Sequence, residues 1–151
     1  MIIKDFMKKK VISISKKTSI GEAAAMIVAK HVGILPVVDE QGKPIGMVRL
    51  SDLLSLEMPD FINLVGDIDF VHDFGAVETT RPERGVLARS ITTLMEPVLT
   101  VEEDCGLLRA YAIMLQNELF DLPVTNDMGE LVGIVSRVDI GSAILSLWSP
   151  E

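Results

Sequence analysis

The chain has little of several things that define common protein classes. Among its 151 residues there is one cysteine, Cys105, which excludes an intrachain disulfide framework and fits a reducing compartment. Aromatic residues make up only 5% while hydrophobic residues reach 48%, so the core is one of Ile, Leu, Val, Ala and Met. No apolar run approaches the roughly 18 residues that a membrane-spanning helix needs. The opening stretch Met1-Ile2-Ile3-Lys4-Asp5-Phe6 lacks signal-peptide architecture. A cytoplasmic protein without membrane contact is therefore expected. The two histidines, His31 and His72, have no metal-ligand spacing. There is no Gly-rich phosphate loop, no nucleophile elbow, and no nucleophile, base and oxyanion donor at recognisable spacing, so no enzyme is expected.

Positive charge is also scarce, and unevenly so. Residues 1–57 hold nine Lys/Arg against six Asp/Glu, net +3; residues 58–90 hold three against six; residues 91–151 hold two against ten, net −8. A chain with a net charge of −8 is a poor duplex-DNA binder, because phosphate neutralisation drives that binding. No nucleic-acid partner is expected. The basic first part is the better place to hold a small anion, although a lone lysine is usually only a solvated surface group.

What the chain does have is an internal repeat. The segment Ile34-Leu35-Pro36-Val37-Val38 through Gly46-Met47-Val48 returns as Asp121-Leu122-Pro123-Val124-Thr125 through Gly133-Ile134-Val135, at an offset of 87 that also relates Asp52 to Asp139 and Val11 to Val98. One residue is gained further upstream, so Met7 matches Met95 at an offset of 88. Two copies of one supersecondary unit, each too small to bury a sufficient core alone, imply a pseudo-symmetric pair with a cleft between the copies.

Within the first copy, Val11-Ile12-Ser13-Ile14 alternates like a strand. Ser19 and Glu22 form a capping box opening a helix that Gly33 can terminate. Leu35 to Val38 and Pro44 to Val48 read as a hairpin around Gly42, a residue free to take positive φ. Ser51 or Asp52 starts a last helix. The second copy repeats the order: a strand over Val98 to Val101, a helix capped by Asp104 and running to about Glu118, a hairpin over Leu122 to Asn126 and Leu131 to Val135, and a helix over Asp139 to Leu147. Pro36 and Pro123 fit the first positions of their strands, where a missing N–H is tolerated. The fold class is α/β (α+β), with residues 1–57 as the first repeat, 58–90 as an unrepeated insert and 91–151 as the second. In the insert, Phe61, Ile62, Leu64 and Val65 could form one packed helical turn.

This order, strand–helix–strand–strand–helix given twice, resembles a tandem pair of cystathionine-β-synthase (CBS) domains, a Bateman module, packed through their sheets. The strongest motif is Gly133-Ile134-Val135-Ser136-Arg137-Val138-Asp139, similar to the family's Gly-h-h-Ser/Thr-x-x-Asp. Leu35-Pro36-Val37-Val38-Asp39 and Leu122-Pro123-Val124 are also similar to its pattern. The resemblance implies a regulatory module that binds an adenosine nucleotide, of AMP, ADP or ATP type, in clefts between the copies, and it implies a homodimer paired through the helices Ser19–Ala29 and Gly106–Leu115. A protein effector would be the further partner.

By that resemblance, Asp139 and Asp52 would accept ribose hydroxyls, a task suited to an ionised carboxylate. Ser136 would face phosphate near a helix start. Leu99 and Thr100 with Leu122 and Pro123 would line one base slot, and Ile12 and Ser13 with Leu35 and Pro36 the other. Each residue has a plainer reading as well. Asp139 suits a helix cap. Ser51 could cap in place of Asp52. Arg49 stands where the family has a hydroxyl residue, and its fork could bind phosphate, form a salt bridge, or close the site by bulk. Cys105 near a helix start, with no histidine close in sequence to act as a base, reads as an inert thiol. Asp67, Asp69, His72 and Asp73 lack a calcium-loop pattern. Should Arg49, Phe120 and Leu99 plug the clefts, the chain would instead be a ligand-free dimerisation or scaffold module.

Overall fold

The computed structural model describes residues 1–57 and 81–150; the turn expected around Phe61 to Val65 and the Asp67–Asp73 group lie outside them. The first copy contributes α1 (Ile20–Lys30), β1 (Ile34–Val38), β2 (Pro44–Arg49) and α2 (Leu50–Leu54). A short α3 (Arg84–Leu87) follows. The second copy contributes β3 (Val101–Glu102), α4 (Leu107–Gln116), β4 (Asp121–Thr125), β5 (Leu131–Ser136) and α5 (Arg137–Leu145). The strands form a two-stranded sheet, β1-β2, and a three-stranded sheet, β3-β4-β5, with both hairpins antiparallel and β3 parallel to β4.

Local chemistry explains most of these elements. Ser19 Oγ accepts the Glu22 N–H at 3.1 Å while Glu22 Oε1 accepts the Ser19 N–H at 3.2 Å, the reciprocal box read from the sequence. Both hairpins turn on a glycine at φ +79°, Gly42 and Gly129. Each turn is braced by one side-chain oxygen that accepts two backbone N–H groups: Asp39 from Gln41 and Lys43, and Asn126 from Met128 and Glu130.

Five expectations are corrected. The strand over Val11 to Ile14 shrinks to a single bridge, Ile14 to Val37, and that over Val98 to Val101 begins only at Val101. Proline is the reason. Pro36 and Pro123 sit in the third positions of β1 and β4, not the first, opposite Met47 and Ile134. Pro36 accepts the Ile14 N–H at 2.9 Å through its carbonyl, but it has no N–H with which to extend the ladder back toward Ile12, and Pro123 stands likewise to Leu99. The α4 helix is capped by Gly106, without a side-chain bond, rather than by Asp104. The α1 helix ends in a left-handed His31 (φ 52°) before Gly33 is reached, and Glu118 (φ 54°) holds the matching position after α4.

The segments leading into the two copies are exchanged. Lys8 and Ile134 trade backbone hydrogen bonds, both 2.9 Å, so the first copy's leader pairs with the second copy's β5. Glu96 and Met47 do the same at 2.8 and 2.9 Å, placing the second leader on β2. Ile3 is fully buried in the core of the second copy with Leu107, Ala110 and Leu122, and Ile91 in that of the first with Ile14, Ile20 and Leu35. Ile34 and Met47 belong to the same cluster as Val124 and Val135, so the two hairpins share apolar packing.

Gly46 and Gly133 make the exchange possible. A Cβ on Gly133 would overlap the Met7 side chain and lie 3.0 Å from the Lys8 carbonyl oxygen; on Gly46 it would overlap Met95 and lie 3.1 Å from the Glu96 carbonyl. The methionines can swing aside, but the carbonyls are fixed by their hydrogen bonds. We therefore expect Gly133→Ala to cost about 1–3 kcal/mol by overpacking, read as a lower midpoint in thermal denaturation. A surface glycine such as Gly85, whose Cβ meets nothing within 4 Å, serves as the control.

Candidate functional site

The Gly-h-h-Ser-x-x-Asp motif lies where β5 runs into α5. Ser136 is the N-cap: its Oγ accepts the Asp139 N–H at 3.0 Å, and Asp139 Oδ2 accepts the Ser136 N–H at 2.9 Å. This box fixes the rotamer of Asp139. Lys8, arriving on the exchanged leader, donates to the same Oδ2 at 3.2 Å. Oδ1 takes no part in these contacts, and the Asp139 side chain keeps 20% of its exposure. The arrangement is a held carboxylate with an oxygen to spare, beside an ammonium group.

The first copy has the same backbone and different chemistry. Asp52 Oδ2 accepts the Arg49 N–H at 2.8 Å, so Asp52 rather than Ser51 braces the start of α2. The Arg49 fork is engaged: Nε and Nη2 each donate at 2.9 Å to the two carboxylate oxygens of Glu96. Those bonds hold the Arg49 pKa above its ordinary value and pull that of Glu96 below it. Burial pushes Asp52 up, partly offset by the Arg49 backbone bond.

Two cavities meet at the boundary of the copies. One, of about 320 Å³, lies between Gly33 and Ile34, Arg49 to Ser51, and Glu118 to Asp121. The other, of about 410 Å³, is lined by Lys8, Lys10, Ile12, Ile134 and the stretch from Lys30 to Ile34, again with Asp121. Burial raises the Asp121 pKa, Lys8 lowers it and Asp139 adds to the rise. At the edge of the first cavity Phe120 is 70% exposed. One face of its ring is backed by the Arg137 guanidinium, 4.4 Å from the ring centroid. Arg137 is in turn held by the Leu119 carbonyl at 2.7 Å.

The residues singled out in the sequence are thus distributed unequally. Arg49 and Ile12 line the paired cavities. Ser136, Asp139 and Asp52 sit at the helix starts and are not among the lining of either cavity; Asp139 reaches cavity-lining Lys8, and Asp52 the N–H of cavity-lining Arg49. Leu35, Pro36, Leu122 and Pro123 are buried within the sheets, while Ser13, Leu99 and Thr100 are half-buried on the unpaired segments beside them. Thr100 lines a separate hollow with Cys105, which is buried and accepts a contact from Arg109 at 3.4 Å. The sequence reading missed Lys8, Glu96 and Asp121. The offset of 88 that aligns Met7 with Met95 also aligns Lys8 with Glu96, and it was the signal available. Among the described residues, no three His, Cys, Asp or Glu side chains are grouped to hold a metal ion, and no helix is long and apolar enough to cross a membrane.

The fold and its cleft define a paired-repeat module whose polar groups converge between two copies of one unit. Residues 3–58 and 88–146 match the model of the CBS domain. The chain belongs to the CBS-domain family, as a tandem pair. It is 29% identical over 150 residues to the CBS domain-containing protein CBSX1, chloroplastic, of Arabidopsis thaliana, covering 95% of this chain and 64% of that one. It is 30% identical over 141 residues to protein MJ1404 of Methanocaldococcus jannaschii, covering 93% of this chain and 31% of that one. The chain therefore spans less than two thirds of the length of these relatives. Among solved structures, Arabidopsis thaliana CBSX2 in complex with AMP is similar at a TM-score of 0.73 and 26% identity, over 98% of both chains. The CBS domain pair of protein MJ0100, at a TM-score of 0.70 and 24% identity over 97% of this chain and 98% of that one, has the same fold.

Proposed function

We propose that this chain is a regulatory module that binds an adenosine nucleotide of AMP, ADP or ATP type in the cleft between its CBS repeats, acting by binding and not by catalysis. The observation that carries this reading is Asp139: its carboxylate is fixed by the capping box, keeps Oδ1 unengaged by that box, and lies beside Lys8. A carboxylate of this kind accepts vicinal ribose hydroxyls in charge-assisted bonds, and the ammonium groups nearby suit a phosphate. The AMP bound to CBSX2 supports the ligand class. Exposed Val28 on α1 and Leu108 and Leu115 on α4 support pairing of two copies through those helices. The Arg49–Glu96 pair favours a second reading, in which the clefts are plugged from within and the module holds a protein effector.

The test is calorimetric titration of the purified protein with AMP, ADP, ATP and S-adenosylmethionine, with GTP as the control. Saturable heat with adenosine ligands and none with GTP is the expected result. A folded protein that gives no heat with any of them sinks the nucleotide reading and leaves the scaffold.

A further inference from the structure

Resting on the nucleotide reading, we infer that the two clefts are chemically unequal: Glu96 is a built-in occupant of the first, and the anionic nucleotide enters only the second, one per chain. The pseudo-symmetry makes the comparison strict. Lys8 corresponds to Glu96 at an offset of 88, and Arg49 and Asp52 to Ser136 and Asp139 at 87. Each leader crosses to the other copy and delivers one charged side chain to the helix start there. In the second copy that side chain is a cation, Lys8, making one contact at 3.2 Å from a side chain still 62% exposed. In the first it is an anion, and it closes both prongs of Arg49 at 2.9 Å.

A nucleotide phosphate has the same needs as the Glu96 carboxylate: two oxygens facing a guanidinium fork. Glu96 already meets them and is tethered by its own backbone bonds to Met47. A tethered competitor acts at an effective concentration on the order of millimolar, so a free phosphate group at lower concentration displaces it only by binding the fork correspondingly more tightly than a carboxylate does. Asp52, which braces the same Arg49 through its backbone N–H, has its pKa raised by burial first and, among its neighbours, by Glu96. The surrounding charge points the same way. The cavity beside Arg49 adds Glu118 and Asp121, whereas the cavity beside Lys8 adds Lys10 and Lys30 against Asp121. One cavity repels an anion and the other attracts it.

The experiment is AMP titration with stoichiometry per chain, on wild type, Asp139→Ala and the double variant R49S/E96K, each checked for folding by circular dichroism. The wild type is expected to bind one AMP, and Asp139→Ala to lose at least ten-fold in affinity. R49S/E96K gives the first copy the Ser/Lys pair of the second, and its stoichiometry is expected to rise to two. Two AMP per wild-type chain, one AMP that is indifferent to Asp139→Ala, or a folded double variant that stays at one would each overturn the inference while leaving nucleotide binding intact. No AMP bound by folded wild type overturns the nucleotide reading itself, and this inference with it.

Discussion

Replacing Ile3 with alanine is expected to unfold the wrong half of the molecule, judged by sequence. Ile3 lies in the first copy's leader, yet it is completely buried among Val101, Leu107, Ala110 and Leu122. Its N–H donates to the Cys105 carbonyl at 2.9 Å. Truncating a buried Ile to Ala costs about 2–5 kcal/mol in transfer and cavity terms. For a chain of this size each kcal/mol lowers the melting midpoint by roughly 2–4 °C, so the loss is large. Ile91→Ala mirrors it, emptying a site among Ile14, Ile20 and Leu35 and loosening the Thr18 carbonyl bond at 2.8 Å. Hydrogen exchange separates the two. Ile3→Ala should lose protection in α4 and β4, and Ile91→Ala in α1 and β1. Loss of protection in α1 upon Ile3→Ala would mean that the exchanged leaders do not carry the packing described.

The exchange also shows where a reading of the sequence stops. The repeat, both hairpins and the Ser19–Glu22 box were legible because each is a relation between residues close in the chain, or between identical patterns in register. The Gly42 turn needs only its own φ, and Ser19 needs only a partner three residues on. The partners of the leaders are 126 and 49 residues away, Lys8 with Ile134 and Met47 with Glu96, and no periodicity announces them. The first strand was drawn too long because its length depends on the residue opposite: an alternating Val11 to Ile14 cannot pair where Pro36 withholds an N–H. Left-handed His31 and Glu118 followed no glycine rule, and only their equivalence across the copies marks the turn as a demand of the fold.

The site divides in the same way. Ser136 and Asp139 follow from a local motif, and the capping box that orients them is local too. What sets the charge beside them is which leader residue arrives. Lys8 and Glu96 lie 131 and 47 residues from the groups they meet. Arg49 was open to a phosphate or a salt-bridge reading for want of that partner.

Asp139→Ala is expected to weaken nucleotide binding by about 100-fold while the protein stays folded. Hydrogen bonds to a charged group are worth about 1.5–3 kcal/mol each. Loss of two ribose bonds is then about 3 kcal/mol or more, and every 1.4 kcal/mol is about ten-fold in affinity. The same substitution removes the acceptor for the Ser136 N–H and the partner of Lys8. Capping losses run to about 0.5–2 kcal/mol. The Lys8 pair adds little, because its lysine end is largely exposed and the interaction is screened. A modest fall in melting midpoint therefore accompanies the affinity loss. Asp139→Asn separates the two effects. Its amide oxygen can still accept the Ser136 N–H and so keep the cap, but it is uncharged and presents a donor where a second acceptor is needed. Affinity should fall nearly as far as in Asp139→Ala while the melting midpoint returns toward wild type. Should affinity recover together with stability, Asp139 would be a helix cap and nothing more, and the ribose would have to be held by another group in the cleft.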